Sequence, residues 1–535
     1  MSESVLPRDE QAPAQRHLGW ALVLISTAQL MVVLDSTIAN IALPHIKTDL
    51  HFSDANLQWI VTGYALAFGG FLLLGGRLGD LYGRRRIFMT GVTVFAIASL
   101  LGGFAQNELM LLGSRGLQGL GAAMASPAAL ALIATTFPAG PARSRAFAVY
   151  AAVSGVGGAV GLLLGGWLTG SDLSVFGHHL SGWRLTFLFN VPIGLVAAAM
   201  APRVLPESER HTGWLDVPGA ITATLGLLSI VFGLSRAAEA DYGWDAPSTW
   251  LFLAVGVALL VAFLMLETRQ EHPLLPFRVF SNRTRAASFV AMMFMPAAMF
   301  ATFYFLSLFI QDVVGYSPLK TGFAFLPFPL GMVIAATASS KLIGRVDPRF
   351  LAGPGTLVAA FAMFMYSRIT VDDSPAHLAK VALDGGHLGA DTINYWTDLL
   401  PWIFLMALGM GFTFIPLTLT AVHHLRLEDT GIGSGVLNTM QQVGGAIGLA
   451  TLATVSIHAA TDWFSGLKPA PQGQDPALIH RFQEVAGQAA FTQGATTAFL
   501  AGSVLVLIAS AVVWSTLNVK HTELATDGPG AAAPH

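Results

Sequence analysis

Residues Gly75–Phe88 read GGRLGDLYGRRRIF. The stretch joins two long apolar runs and gathers Arg77, Asp80, Arg84, Arg85 and Arg86 into a turn too short to be a domain. Arginines at the end of an apolar run of spanning length belong on the cytoplasmic side of a membrane, so this turn fixes which way the chain faces. Gly76, Gly79 and Gly83 are expected to let backbones approach closely, and an Asp beside several Arg can form charge-assisted hydrogen bonds at the mouth of a helix bundle. That combination can latch a gate. The plainer alternative is a positive-inside anchor that happens to contain glycines.

Outward from the turn, the composition settles the class. Of 535 residues, 54% are hydrophobic and only 11% charged, which excludes a string of soluble domains and indicates a polytopic membrane protein. The net charge of -3, with basic residues scattered among loops, offers no nucleic-acid partner. No cysteine is present, so disulfides, thiolate metal sites and cysteine nucleophiles are excluded. No P-loop, GxSxG or HExxH pattern occurs, so neither enzyme chemistry nor a cofactor or metal is expected. The polar start MSESVLPRDEQAPAQRH precedes an apolar run too long for a signal-peptide core, and the first span is expected to be uncleaved.

A span needs about 20 mostly apolar residues. On that rule the chain offers about fourteen, at roughly 18–44, 56–79, 87–105, 109–137, 146–170, 184–202, 215–235, 249–266, 286–311, 319–343, 351–367, 399–424, 431–458 and 489–516. With the Gly75–Phe88 turn inside, about 19 of the 28 Lys and Arg fall on the inner side, about 8 outside and about one within a span. The inner loops then carry Arg143, Arg145, Arg203, Arg210, Arg269–Arg285, Lys341–Arg349 and Arg426. Both termini are expected in the cytoplasm, with the protein in the inner (cytoplasmic) membrane.

The expected fold is all-α, with fourteen transmembrane helices in two six-helix bundles and two helices inserted between them. KLIGRVDPR, Lys341–Arg349, stands where a second six-helix repeat would place its own copy of the first loop, degenerate but still basic. The boundaries read as an N-terminal tail 1–17, a bundle 18–202, the inserted pair and linkers 203–283, a second bundle 284–516 and a disordered tail 517–535. Residues of about 368–397 and 460–487 read as surface excursions without clear periodicity.

Asp35, in LDSTIANIALP, is the one acid well inside an apolar run, about 13 Å below the outer end of its span. A membrane carboxylate costs a few kilocalories per mole and is a functional candidate by default, unless local hydrogen bonds from Ser36 or Thr37 neutralise it for packing alone. Arg115, in LLGSRGLQGLGAA, lies at about 10 Å on the fourth span, a similar depth. Facing one cavity, the two can neutralise each other when empty and separate when the acid is protonated. Gln118 shares Arg115's face and can hold either partner. Gly157, Gly161 and Gly165 form a packing stripe on the fifth span. Asn438, Gln441 and Gln442 on the thirteenth, with Trp59, Tyr64, Phe305, Phe323 and Phe325, are candidates for a substrate cavity or for ordinary packing.

These stretches resemble the fourteen-spanner drug:proton antiporter subfamily of the major facilitator superfamily. The matching stretches are LDSTIANIALP, GGRLGDLYGRRR, LGSRGLQGLGAA, WRLTFLFNVPIG at Trp183–Gly194, LFIQDVVGYSPLKTG around Gln311–Gly322, and GIGSGVLNTMQQVGGAIG. The resemblance implies proton-driven export by alternating access. It carries the membrane acid to Asp35, the coupling arginine to Arg115 and the gate to Asp80, Arg84 and Arg86. One departure stands out: the fifth-span motif usually has Gly-Pro where this chain has Gly161-Leu162, so the proline kink is absent. The implied partners are a lipophilic small molecule, protons and membrane lipid. A facilitator or importer of a polar metabolite would place more polar groups at midplane than this chain does, and a receptor would append a signalling domain.

Overall fold

The computed structural model describes residues 8–138, 140–175, 178–207, 213–239, 241–270, 273–423, 425, 430–467 and 476–526. Arg210 and Arg426 lie outside them. In a bilayer every backbone N–H and C=O must be satisfied within its own segment, and the described residues meet this with 14 apolar helices of spanning length. In order, spans 1–6 are Leu18–Leu50, Asp54–Tyr82, Arg84–Gly103, Glu108–Thr136, Pro141–Thr169 and Gly182–Val204. Spans 7 and 8 are Val217–Ala238 and Pro247–Arg269. Spans 9–14 are Arg283–Val313, Pro318–Leu342, Pro348–Tyr366, Tyr395–Val422, Gly431–Ser465 and Pro476–Thr516.

Local chemistry sets the helix starts. The side chains of Asn107, Asp216, Asn282 and Ser317 accept from the N–H groups of Met110, Gly219, Arg285 and Lys320, and prolines open spans 5, 8, 10 and 11. Gly83 separates spans 2 and 3 at φ +104, a conformation that L side chains rarely adopt. A hairpin, β1 Leu173–Val175 and β2 His178–Leu180, links spans 5 and 6.

The pairing of helices repeats between the two halves. Span 1 packs on 5, 2 on 4, 3 on 4 and 3 on 6; likewise span 9 packs on 13, 10 on 12, 11 on 12 and 11 on 14. Each pair in the second half is the first-half pair moved by eight, the pattern left by a duplication with two helices inserted. Spans 7 and 8 pack on each other, and span 7 lies against spans 2 and 13. Trp59 donates to Ser235 Oγ at 3.0 Å and Thr454 to the Leu234 carbonyl at 2.9 Å.

The halves are joined unevenly. On the face opposite the Gly75–Phe88 turn, Ser307 and Gln311 of span 9 donate to the Asn40 and Ile41 carbonyls of span 1, at 2.7 and 3.1 Å. There Gly166 of span 5 meets the Pro318 carbonyl of span 10, and Gly322 meets that of Leu162. One apolar core runs through both halves at this face, from Ile41, Ile46, Phe52 and Trp183 to Tyr304, Phe309 and Phe325. Toward the arginine face the core divides. Ile25, Phe88, Phe95 and Ile133 pack within the first half, while Phe289, Met292, Leu417 and Val513 pack in the second, with Leu73 alone of the first half's described residues reaching them. Among the described residues the shared core is therefore continuous on the opposite face and parted toward the arginine turn, save for the contact of spans 2 and 13 at Leu73 and Gly435.

Two expectations need correction. Residues 368–397 contain a helix, Pro375–Asp384, opened by Ser374 and stopped by Gly385 in the left-handed region, with Leu378 and Ala382 buried. Spans 13 and 14 also reach into 460–487, ending at Ser465 and starting at Pro476, with 468–475 outside the described residues. The tail from 517, expected to be disordered, carries the helix His521–Thr526, whose His521 backbone N–H and ring both meet Asp347 Oδ1 at 2.8 Å; residues 527–535 lie outside the described residues.

Candidate functional site

Asp35 sits in the body of span 1. Ser36 and Thr37 do not solvate it, because their hydroxyls donate back to the Val33 and Leu34 carbonyls. Its partners come instead from spans 4 and 6. Arg115 Nη1 donates to Oδ2 at 2.5 Å, while Gln118 Nε2 and Asn190 Nδ2 donate to Oδ1 at 2.8 and 2.9 Å. Arg115 also donates to Gln118 Oε1 at 2.9 Å and through Nε to the Ile60 carbonyl of span 2 at 2.7 Å. Its guanidinium lies 4.5 Å from the Tyr64 ring centre, and Gln118 reaches Ser99 Oγ of span 3 at 2.8 Å.

The network is sealed: Asp35 is 3% exposed, Arg115 1%, and Gln118, Asn190 and Ser99 0%. Desolvating two opposite charges is offset only when their remaining lone pairs and protons are also matched, and here a carboxylate with three donors faces a guanidinium with acceptors on three helices. Protonating Asp35 would remove the anion at the centre of contacts from spans 1, 2, 3, 4 and 6. Asn190 and Ser99 escaped the sequence reading; the signal available for Asn190 was an amide within the apolar stretch WRLTFLFNVPIG.

At the arginine turn, Arg84 donates to Asp80 Oδ1 at 3.1 Å across Gly83. The organising acid is one the sequence reading missed. Glu207, just beyond span 6, accepts from the Arg85 N–H at 3.2 Å and lies 3.5 Å from the Arg85 and 3.7 Å from the Arg86 guanidinium. It also sits where a Cβ on Gly83 would stand, 2.6 Å from its Oε1. Close approach belongs to Gly75, whose added Cβ would strike the Ala123 carbonyl, rather than to Gly76 or Gly79, whose nearest neighbours lie at 3.7 and 3.8 Å.

The remaining candidates do not line one surface. Trp59 points at span 7, Tyr64 and Gln118 are enclosed around Arg115, and Phe305 and Phe325 are core residues while Phe323 is 54% exposed. On span 13, Asn438 is exposed with its amide on the Ser434 carbonyl, Gln441 meets Met292 Sδ at 4.0 Å, and Gln442 packs on Gly69 of span 2. Gly157, Gly161 and Gly165 face span 1, where added Cβ atoms would meet Leu30, Thr37 and Ile38. Asp35 is also not the only buried acid: Asp216 and Glu267, each 2% exposed, sit near the arginine-face ends of spans 7 and 8.

Two duplicated six-helix bundles, their core continuous at one face and parted toward the other, with a sealed ion pair inside the first, define a membrane transporter rather than an enzyme. Residues 25–449 match the profile of the Major Facilitator Superfamily, and the chain belongs to that family. It is 39% identical over 527 residues to the puromycin resistance protein pur8 of Streptomyces alboniger, covering 98% of this chain and 95% of that one. It is 38% identical over 442 residues to the cephamycin export protein CmcT of Amycolatopsis lactamdurans, covering 82% and 84%. Among solved structures, a bacterial homologue of the human lysosomal transporter Spinster, inward-facing and occupied, shares the fold at TM-score 0.65 and 18% identity, over 94% of this chain and 98% of that one.

Proposed function

We propose that the protein is a proton-coupled antiporter exporting lipophilic small molecules, with drugs and antibiotics among them, across the cytoplasmic membrane by alternating access. The observation that carries this reading is the buried Asp35–Arg115–Gln118–Asn190 network, in which a single proton can undo an ion pair shared by several spans. The relatives named for puromycin resistance and cephamycin export support the substrate class and the outward direction. The arginine turn faces the cytoplasm on the positive-inside rule, as do both termini, so the parted face is the inward one. Asp80, Arg84, Arg85 and Arg86, with Glu207, form the gate that closes when the halves rock together there. Spans 9 and 10 bring no carboxylate to midplane, since Asp312 lies one residue from the far end of span 9. The site therefore suits neutral or singly charged lipophiles.

The test is efflux of a panel of such compounds from vesicles containing the purified protein, with and without an imposed proton gradient. Transport against the compound's gradient only when protons flow the other way supports the reading. Equal rates with and without the gradient overturn it in favour of a facilitator.

A further inference from the structure

Spans 9 and 11 begin, and span 14 ends, around a pocket of about 390 Å³ at the arginine face of the second half, remote from Asp35. Arg283 and Arg349 line it, with Asn282, Ser515 and Asn518. Among the described residues neither arginine is paired with a carboxylate: Arg349 has only the ring of its neighbour Phe350, 5.2 Å away, and the nearby Asp347 is taken by His521. Asn282 commits its side-chain oxygen to the Arg285 N–H, which leaves its amide hydrogens for the pocket. Two guanidinium groups and side-chain amides, with no anion among the lining residues, make a receptor for a tetrahedral oxyanion.

The surroundings say where such an anion would come from. The pocket lies at the ends of its three helices, hence at headgroup depth. Phe350, at 50% exposure, meets Trp514 edge-on at 5.9 Å beside Ser515. From Phe350, the exposed side chains Leu357, Phe361 and Phe364 continue along span 11 at spacings of seven, four and three, an unbroken apolar stripe leading from the pocket into the hydrocarbon region. A free phosphate would use the arginines and ignore the stripe. A phospholipid uses both.

We propose that this pocket binds the phosphate headgroup of an anionic phospholipid from the leaflet on the arginine face, with an acyl chain lying along the Phe350–Phe364 stripe. The charge selects anionic over zwitterionic headgroups, because a choline or ethanolamine cation would meet Arg283 and Arg349. The site is independent of the proton network, and its failure would leave the transport reading untouched.

The experiment is native mass spectrometry of the delipidated full-length protein titrated with palmitoyl-oleoyl phosphatidylglycerol, the matching phosphatidylcholine, or inorganic phosphate. The expected result is a first phosphatidylglycerol bound at least tenfold more tightly than phosphatidylcholine, and a loss of that preference in Arg283→Gln/Arg349→Gln. Should the double variant fail to fold, Asn518→Asp places a carboxylate at the mouth of the pocket from an exposed position and is expected to remove the same preference. Equal binding of the two lipids, or unchanged preference in a folded variant, overturns the proposal. Inorganic phosphate at millimolar concentration displacing the first phosphatidylglycerol completely would assign the site to the free anion and overturn it as a lipid site.

Discussion

Replacing Asp35 by Asn separates the role of its charge from that of its shape. With its carbonyl oxygen toward Gln118 and Asn190, the new amide keeps both of those bonds but turns its own hydrogens on the Arg115 guanidinium. Flipped, it meets two amide donors with a third. Arg115 retains the Ile60 carbonyl, Gln118 Oε1 and the Tyr64 ring, but it becomes a buried cation without its anion. Removing one member of a buried ion pair costs about 3–5 kcal/mol, whereas replacing both by neutral groups of similar volume is close to neutral. Asp35→Asn/Arg115→Met should therefore recover most of the stability lost in Asp35→Asn, for a coupling of about 3 kcal/mol between the two sites. The assay is the denaturation midpoint of wild type, both single variants and the double variant in detergent, with proton-driven efflux measured on the same preparations. The expected outcome is restored stability without restored uphill transport. Additive losses of stability would refute the ion-pair account, and Asp35→Asn pumping uphill at the normal rate would place the proton elsewhere.

Further expectations concern the rest of the molecule. Glu207→Ala should speed hydrogen exchange across Arg84–Phe88 more than Asp80→Ala does, because Glu207 holds the Arg85 N–H and faces two guanidinium groups while Asp80 holds Arg84 alone; the reverse order would deny Glu207 its organising role. The His521 N–H and ring hold the Asp347 carboxyl below the usual carboxylate range. A depressed acid stabilises its docked state above the unperturbed value of about 4 and loses that contribution as pH falls through the lowered one. The protection factors of His521–Thr526, taken relative to the intrinsic exchange rate at each pH, should therefore hold from pH 7 to about 5 and fall below about 4, while Asp347→Asn shows little protection throughout. Gly161→Val should destabilise by several kilocalories per mole through collision with Thr37, and Thr37→Gly should restore part of the loss; no rescue would mean that the strain lies elsewhere. Matched mono- and dicationic dyes competing for efflux at a fixed proton gradient should show the dications to be poor competitors, since Asp35 is engaged by Arg115; equal competition would require a second acid, with Asp312 at the end of span 9 the candidate to replace first.

What could be read from the chain was what an apolar background makes conspicuous. Asp35, Arg115 and the arginine turn are charges where hydrocarbon is the solvent, so each demanded a partner before any partner was known. Hydropathy also placed the spans, because backbone satisfaction in lipid leaves little choice but helix. Asn190 and Ser99 were less visible, since neutral polar groups within spans are common and only their convergence on Asp35 distinguishes them. Glu207 was hidden for the opposite reason: it lies in a charged stretch past a span end, where one acid among several carries no signal. Trp59, Tyr64, Phe305 and Phe325 turned to neighbours or core rather than to an open surface, because composition does not say which side of a helix is lipid, core or inserted neighbour. Trp59 turned out to face span 7, a helix whose position no pattern in span 2 reveals.

The network and the junction between the halves share two helices, and this bears on how a proton could move the bundles. Asp35 lies on span 1, whose Asn40 and Ile41 carbonyls, little more than a turn further on, accept from Ser307 and Gln311 of span 9. Arg115 is fastened through Nε to the Ile60 carbonyl of span 2, the helix whose Gly69 carbonyl accepts from Thr439 of span 13. The two charges are thus tethered to different seams between the halves, 1 to 9 and 2 to 13. Helices pass displacement along their axes as nearly rigid bodies, so where spans 1 and 2 shift with a change in the Asp35–Arg115 pair, the shift is passed to these two seams. On the proposed reading, protonation at Asp35 would loosen span 1 from span 4 and leave Arg115 anchored on span 2. In the proposed antiport the proton enters from outside while the 1–9 seam is open, so its arrival at Asp35 would have to favour closing that seam and parting the arginine face, the return step of the cycle.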